Sequence, residues 1–597
     1  MVALRTSFLN GSKIKAVRYH TILRPILQQR FLRASLALYC LCCVTSYWLA
    51  SGSIFSLKLI LGSFLKGMLC FLFVFPYFVM LKSRMTTTRD VHSSLAKEIM
   101  IKFSPKSFFP VYISFLVSVG ILALAYVQGH SSSSRLQWVT TARTYELPRL
   151  NERFVYMMFV ATTMAFSSAC EHLYFDRDTP EQPVLQIPFI VYVKERIPSI
   201  FRYSIIKSLV CGFASPIIYA IFRPSIWRIV LLFTKCFHRL AASKALARWP
   251  VNFGLLFHSL WMTFLINISL NMALLIFRVF LYAGPVVRSR FISMRSNDPN
   301  GTLLDGIKTK NKPLTQCIAS QELFLICSKD PKRIQGILQD IDRKTSVWQE
   351  ILNNTLVLCE NLSTSLQLSS AGRKSSAVES AQSSSKLGSN STDESFNAIP
   401  LKEANIFARG ASHRSRILEK VKEHGNFSSP DASQNSFLES LIPASLRKKF
   451  SQYLSVVYKT SLFNIFRKTL DRKNADVLKN PWLLEVHITS LSLLVLKSLQ
   501  YDTYGVVARD ISDILTVYCD TYDKLIAYKR NPPIHSSDVF ASERTHDFDD
   551  MDRIISCLKD GIVEITEKFQ DFFLQLNIPT KVERRCWVLY RGRNSAT

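Results

Sequence analysis

The chain has 597 residues and a formal net charge of +30, and 48% of its residues are hydrophobic. That length suffices for a membrane domain plus one or two soluble domains. Residues 1–300 contain 34 Lys and Arg but only 10 Asp and Glu. The basicity therefore flanks the apolar half of the chain, where anionic lipid headgroups are the natural partner. No helix-turn-helix, zinc-finger or RNA-binding signature accompanies it, which argues against direct nucleic-acid binding.

The 13 cysteines are scattered and lack the paired CxxC spacing that binds zinc. Cys40, Cys42 and Cys43 lie inside an apolar run, where packing is their ordinary role. The sequence thus predicts no metal, no cofactor and no disulfide framework, and it places most of the chain in a reducing compartment.

Residues 1–33 form a basic N-terminal segment with seven Lys and Arg and no acidic residue. From Ile14 onward the apolar residues recur at helical spacing, which indicates a short amphipathic helix running into the first membrane span. A simple positive flank that fixes the orientation of that span is an equal alternative.

Residues 34–284 form the predicted membrane domain. A bilayer core needs about 20 mostly apolar residues per helical span, and backbone groups in lipid must bond internally, so such runs are helices. The first run follows a basic leader and lacks a small-residue cleavage pattern, so it is not a signal peptide. Six runs qualify, at about 34–51, 60–81, 107–127, 154–175, 204–222 and 253–277.

The distribution of Lys and Arg orients these spans. With a cytosolic N-terminus, the inside segments carry 17 Lys and Arg and the outside loops carry 11. Inside segments are normally the more basic ones. An even number of spans then places both termini in the cytosol.

The loop at 223–250 is more basic than an outside loop should be, and a surface helix at 226–240 explains part of the excess. Such a helix lies in the membrane interface rather than crossing it. If the loop is cytosolic, the span count changes by one nearby. The apolar face consists of Ile226, Ile229, Val230, Phe233, Phe237 and Leu240, and the opposite face carries Arg228, Lys235 and Arg239.

Among the polar residues inside the spans, Lys66 and Lys207 are close enough to span ends for their charged groups to reach the interface. Polar residues inside the spans are otherwise predicted to bond neighbouring helices, and lining a transport pathway is the alternative. No inverted repeat points to transport. The residues concerned are Lys66, Lys207, Glu171, His172, Asn267 and Asn271.

Residues 285–367 read as a first helical soluble segment. Residues 368–436 are rich in Ser and poor in large apolar side chains, so they are predicted to be a disordered insert. Ser429 precedes a proline there and is a candidate phosphosite, with an ordinary linker as the favoured interpretation.

Residues 437–597 form the predicted C-terminal helical domain. Leu483–Leu499 is apolar enough to resemble a span, but His487 and Lys497 interrupt it, which favours a soluble core helix. An earlier basic helix would contact either a membrane or a protein partner, or belong to the domain core. Its candidate residues are Leu446, Arg447, Lys448, Lys449, Phe450, Leu454 and Val457.

Motifs of known enzyme chemistry are absent from the sequence. There is no GxSxG, P-loop or HExxH, and 19 glycines in the whole chain leave little material for a phosphate-binding loop. The sequence therefore predicts a protein that is not an enzyme: an all-α integral membrane protein with six transmembrane helices and a cytosolic-side helical domain carrying a disordered insert.

Four features of the sequence resemble the nuclear-division-cycle (Ndc) type transmembrane nucleoporins, and the chain is identified as a fungal member of that family. They are the leader YHTILRPILQQRFLR, the six-span plan, the block ELFLICSKDPKRIQGILQDIDRKTSVWQEIL and the block LLVLKSLQYDTYGVVARDISDIL. The Asp-x-Tyr-Gly tetrad of the last block is the most specific. The marker positions are Arg333, Asp340, Trp348, Ser498, Asp502, Tyr504 and Gly505.

The resemblance implies a multi-pass protein of the nuclear envelope that anchors and helps to assemble nuclear pore complexes. It also implies insertion of the spindle pole body into the envelope. The implied partners are membrane lipids, scaffold and pore-membrane nucleoporins, and spindle-pole-body membrane anchors. Two rival hypotheses are a six-span transporter or channel and a membrane-embedded lipid enzyme of the endoplasmic reticulum.

Overall fold

The described part of the chain is almost entirely helical, which confirms the predicted all-α class. Its only sheets are two short antiparallel pairs, Val139–Thr140 with Arg149–Leu150 and Val286–Val287 with Arg290–Phe291. The computed structural model describes residues 17–49, 57–87, 91–92, 94–130, 136–140, 149–180, 183–185, 188–237, 249–341, 343, 345–384, 470–532 and 548–594.

Six of the first seven helices are long and apolar enough to span a membrane. Each contains one predicted span to within two residues, and together they enclose one apolar core. The short helix that does not qualify, α3, begins at a Ser94 cap that accepts a hydrogen bond from the Lys97 amide. The seven are α1 (Tyr19–Leu49), α2 (Leu57–Ser83), α3 (Leu95–Lys102), α4 (Pro105–Gly129), α5 (Glu152–Tyr174), α6 (Phe189–Lys235) and α7 (Phe253–Leu281).

Helix α6 differs from the predicted bounds, because the structure has no break between the fifth span and the predicted surface helix at 226–240. It is one helix of 47 residues with three internal prolines, since a proline can bend a long helix without ending it. At 1.5 Å per residue it is about 70 Å long, more than twice the ~30 Å of a bilayer core.

Ion pairs at two levels hold α6 against α5. The Lys207 ammonium lies 2.7 Å from Glu171 Oε2, and Arg223 Nε lies 2.6 Å from Glu152 Oε1. Lys207 and Arg223 are separated by about 24 Å along the helix. This distance is close to the thickness of a bilayer core, so the two pairs bracket the part of α6 that would cross it.

Nine further helices of the described residues build a second apolar core that includes Trp348, which is fully buried. Four of them begin with a proline, which suits the first turn because its missing N–H would be unpaired there. The helices are α8 (Pro299–Lys308), α9 (Pro313–Lys329), α10 (Pro331–Leu338), α11 (Val347–Ser384), α12 (Leu470–Val477), α13 (Pro481–Tyr501), α14 (Val506–Arg530), α15 (Asp549–Phe569) and α16 (Thr580–Asn594).

Helix α13 is the seventh helix of the described residues that meets the length and apolarity needed for a span. Its buried side chains, among them Ile488, Leu491 and Leu494, belong to this second core rather than to the core of the membrane helices. The assignment of α13 as a soluble core helix stays a prediction, as does the number of helices that cross a membrane.

The chain divides into two compact units. Residues 1–367, 471–532 and 546–597 form the first unit, and 368–470 with 533–545 form the second. Helix α11 runs into the predicted Ser-rich insert as far as Ser384. The rest of that insert, with Ser429, lies outside the described residues, as does the candidate helix at Leu446–Val457.

Candidate functional site

Helix α1 belongs to both apolar cores. Its first turns contribute Tyr19, Leu23 and Ile26 to the second core, which belongs to the helical domain formed by α8–α16. Its later turns contribute Ala34 and Leu38 to the core of the membrane helices. The leader before the first span is therefore an integral part of the helical domain, which places that end of α1 and the domain on the same side of the bundle.

A buried carboxyl group fixes the start of α1. Glu322 on α9 is 0% exposed, and its two oxygens accept hydrogen bonds from the Tyr19 hydroxyl at 2.7 Å and from the Ser293 amide at 2.9 Å. Burial raises the pKa of Glu322, although these two bonds oppose the rise. The group joins the leader, the segment after the last membrane helix and the domain core at one point.

The backbone around Tyr19 is equally constrained. Its amide donates to Asp305 Oδ2 at 3.0 Å. Gly306 lies so close to the ring that a Cβ atom there would be 2.8 Å from the Tyr19 Cγ atom and 2.7 Å from the Ala319 side chain. Glycine at 306 thus permits the close approach of α1 to α8.

Arg30 connects the middle of α1 to the residues that follow α7. Its guanidinium donates to the carbonyls of Ala283 at 2.7 Å and Gly284 at 2.6 Å, and the residue is buried. The Leu185 amide donates to the Tyr282 carbonyl at 2.8 Å. Backbone carbonyls that follow a helix end need such donors when they are buried.

Asp178, in the segment after α5, pairs with one residue just after α2 and with one residue on α5. Arg84 Nε lies 2.8 Å from one carboxyl oxygen and His172 Nε2 lies 2.7 Å from the other. Burial alone would raise the pKa of Asp178, but the bonds from His172 and Arg84 outweigh it and hold that pKa below its ordinary value.

A second chain of ion pairs reaches the helical domain. Lys102 pairs with Asp176 at 2.5 Å and also with Glu98, and Glu98 in turn pairs with Arg472 on α12. Burial would raise the pKa of Glu98, but Lys102 and Arg472 lower it overall. The short helix α3 and the segment after α5 are therefore connected to the domain through Arg472.

Of the polar residues predicted inside the spans, Glu171, Lys207, Asn267 and Asn271 share one network of contacts, whereas His172 bonds to Asp178 and Lys66 is exposed. Glu171 accepts from Lys207, Arg177 and Tyr203. Arg177 also donates to Asn271 Oδ1 at 3.1 Å, and the Asn271 amide donates to the Asn267 carbonyl at 2.8 Å. These contacts join α5, α6 and α7, which is the helix-bonding arrangement expected for polar groups in a bundle.

The first set of resemblance markers forms a hydrogen-bonded cluster inside the helical domain. Arg333 donates to Asn300 Oδ1 at 2.8 Å, and the Asn300 amide donates to Asp340 Oδ2 at 3.0 Å. Trp348 Nε1 donates to Asp510 Oδ2 at 2.8 Å. The last bond connects the two blocks of sequence that carry the resemblance.

The second set of markers shapes the turn between α13 and α14. Asp502 accepts from the Tyr504 amide at 3.1 Å and from the Val507 amide at 2.8 Å. Gly505 has a φ of +64°, the left-handed conformation that favours glycine. Ser498 bonds back to the Val495 carbonyl, whereas Tyr504 is 67% exposed. These positions build a turn and leave one ring at the surface.

The predicted surface helix supplies the carboxyl end of α6. Ile229, Phe233 and Phe237 are exposed, whereas Ile226 packs against the core of the membrane helices. The remaining members are Arg228 and Lys235, which are exposed, Val230, which is half-buried, and Arg239 and Leu240, which lie outside the described residues.

We call the contacts at the end of the bundle where the helical domain is attached the joint. The sequence did not reveal its residues, which are Tyr19, Glu322, Arg30, Asp178 and Arg472. One signal was present, because Glu322 opens the run Leu323, Phe324 and Leu325, and an acidic residue beside a buried apolar run often has a specific partner. Among the described residues no group of three His, Cys, Asp or Glu could hold a metal ion.

The fold and its joint define a multi-helix membrane protein whose helical domain is built onto the bundle. The sequence profile of the family described as Nucleoporin protein Ndc1-Nup matches residues 25–587. The chain is 50% identical over 601 residues to "Nuclear envelope protein ndc1" of Schizosaccharomyces pombe, covering 100% of both chains. It is 23% identical over 624 residues to "Nucleoporin NDC1" of Chaetomium thermophilum, covering 95% of each.

The chain therefore belongs to the Ndc1-Nup family of nucleoporins. Membership confirms the resemblance found in the sequence and identifies a membrane nucleoporin of the nuclear envelope. The family is structural rather than catalytic.

Removing the Tyr19 hydroxyl should weaken the joint. Tyr19→Phe leaves one oxygen of the buried Glu322 without its donor, which costs about 1–3 kcal/mol. We expect a lower unfolding temperature for the detergent-solubilised protein in differential scanning fluorimetry. Tyr504→Phe is the matched control, because its hydroxyl is exposed. Equal unfolding temperatures for all three proteins would contradict the role of Tyr19.

The contribution of Asp178 should depend on pH in a defined direction. Because its folded-state pKa lies below the ordinary value, its stabilisation is complete above about pH 4 and is lost as the pH falls through the folded-state pKa. We expect Asp178→Asn to lower the free energy of unfolding at about pH 6 and to have less effect at about pH 3. The exposed Asp571→Asn should have no effect at either pH, and an Asp178→Asn effect that does not change with pH would argue against the proposed pairing.

Two glycine substitutions should have opposite effects. Gly505→Ala forces a left-handed alanine and costs about 1–2 kcal/mol. Gly336→Ala, in the exposed interior of α10, should stabilise by up to about 1 kcal/mol. Neither added Cβ meets another atom within 4 Å, so backbone conformation alone is compared. Chemical denaturation measures both, and the same sign for both would contradict the assigned turn.

Proposed function

We propose that this membrane nucleoporin anchors nuclear pore complexes in the nuclear envelope, helps to assemble them, and inserts the spindle pole body into the envelope. The observation that carries the proposal is the joint, in which the Tyr19–Glu322 and Glu98–Arg472 contacts bond the helical domain to the membrane helices. A domain fixed in this way transmits force between a bilayer and a protein scaffold, which a domain on a loose tether does not. The spindle-pole part follows from the family resemblance.

The proposal places both termini and the helical domain on the cytosolic, pore-facing side. The basic N-terminal segment and the excess of Lys and Arg on the inside loops support this orientation. The incorporation of Tyr19 into the domain core adds support, because the two must then share a side. Scaffold nucleoporins, other pore-membrane nucleoporins and spindle-pole-body anchors are the proposed partners of the domain.

The carboxyl end of α6 is proposed to lie in the opposite, luminal interface. Arg223 pairs with Glu152 at the end of α5 far from the helical domain, so the turns after Arg223 extend beyond the bundle there. Exposed Ile229, Leu232 and Phe233 would enter the interface, with Arg228 and Lys235 directed to headgroups.

A transport or enzymatic role is less well supported. The polar residues that would line a pathway are bonded to one another, as with Glu171 to Lys207 and Asn271 to Asn267. The anchor interpretation assigns these groups to helix packing. The two roles therefore predict different effects of substituting these residues.

Live imaging of the full chain with a fluorescent C-terminal tag distinguishes them. We expect a punctate nuclear rim that overlaps a pore marker, with a brighter spot at the spindle poles in mitosis. Asn267→Leu should keep this pattern and normal growth, because it changes a packing contact only. Normal localisation with lost growth at equal protein level would favour a pathway, and a diffuse reticular signal of the wild-type chain would refute the anchor.

A further inference from the structure

A cavity of about 720 Å³ lies where the membrane helices meet the helical domain. Its bundle side includes Ile200, Leu274 and Leu275, and its domain side includes Trp482 and Leu483. One wall is thus continuous with the apolar interior of the bundle, and the other belongs to the domain. A cavity of this size accommodates a small organic group.

Basic side chains dominate the polar part of the lining. Arg177 follows the end of α5, Arg196 lies near the start of α6 and Arg278 lies near the end of α7. Lys479 and Arg553 come from the domain side. These cations lie at the end of the bundle where the domain is attached, at the depth expected for the headgroups of that leaflet.

The acidic residues of the lining are fewer and mostly engaged. Asp176 pairs with Lys102 at 2.5 Å, and Asp550 pairs with Arg553. Glu485 is the third acidic residue of the lining. The cavity therefore has a net positive charge that its own carboxylates do not balance.

Arg278 supplies the clearest excess charge. Within the described residues, its guanidinium donates one hydrogen bond, to the Arg177 carbonyl at 2.9 Å, and pairs with no carboxylate. The Arg196 guanidinium carbon lies 5.6 Å from the centroid of the Tyr192 ring. The Lys479 ammonium is 3.8 Å from Asp476 and its side chain is 75% exposed. The Arg278 guanidinium has N–H donors beyond that one bond, and guanidinium donors bind phosphate oxygens well.

We propose that this cavity binds the headgroup of an anionic phospholipid from the domain-side leaflet. The phosphate lies against Arg278 and Arg196, the acyl chains extend along Leu274 and Leu275, and Lys479 contacts the outer part of the headgroup. Basic pockets between membrane helices recognise anionic lipids by this chemistry. The inference rests on the proposed function for the side of the membrane, and it makes the lipid a third component of the joint.

The test uses the purified full-length chain in detergent and a phosphatidylserine with a fluorescent acyl chain. The variant Arg196→Gln with Arg278→Gln should raise the Kd about thirtyfold, since each juxtamembrane cation contributes about fivefold. Arg33→Gln with Lys106→Gln removes the same charge from exposed positions outside the cavity and should keep the wild-type Kd. If the double cavity variant fails to fold, the variant Lys479→Gln, at an exposed position of the lining, should likewise raise the Kd.

Two further arms identify the source of the phosphate. Phosphatidylcholine with the same label should bind more weakly than phosphatidylserine, and free glycerophosphoserine or inorganic phosphate should compete poorly because neither has acyl chains. Equal binding of both lipids, equal loss in both double variants, or full competition by free phosphate would overturn the proposal. Nuclear-rim localisation of the wild-type chain tests the anchor function separately, so either idea can fail alone.

Discussion

The rest of the structure depends on the membership of one helix in two cores. Tyr19 and Leu23 are buried in the helical domain, while Ala34 and Leu38 are buried among the membrane helices, and both pairs lie on α1. Helix α1 is continuous from Tyr19 to Leu49 through an internal Pro25, so a displacement of one core disturbs the other unless the helix bends at that proline. The Tyr19–Glu322 hydrogen bond and the hydrogen bonds of Arg30 fix this helix at its start and middle. The joint is thus a consequence of burial, and not of surface charge alone.

Polar contacts add a second layer to this joint. Asp178 connects the end of α2 to α5 through Arg84 and His172, while Glu98 and Arg472 bond the short helix α3 to the domain. Each such group is costly to bury unless it is paired, so these contacts favour one relative placement of bundle and domain. In the proposed anchoring role, a defined placement would let a scaffold on one side of the membrane act on the bilayer through the helical domain. The proposed lipid in the adjacent cavity would contact both parts and strengthen the same arrangement.

The sequence predicted the elements better than their partners. Apolar runs of about 20 residues revealed the six helices, because the bilayer imposes that length, and helical spacing from Ile14 indicated the leader helix. Spacing shows that a face is apolar but does not show what covers it, so the burial of Leu23 in a domain some 280 residues later was not predictable. The continuity of α6 through Pro224 was missed because a proline reads as a break. Glu322 was missed because only the fold brings Tyr19 to it.

Hydrogen exchange of the full chain in nanodiscs, resolved by mass spectrometry, tests the central claim most directly. If the leader belongs to the domain core, the amides of residues 20–27 in α1 should open with the same free energy as those of residues 320–327 in α9, because both then unfold as one cooperative unit. Tyr19→Phe should lower the protection of both segments together. Leader amides that exchange orders of magnitude faster than α9, with α9 unaffected by the variant, would show that α1 is only a flank of the first span and would contradict the account.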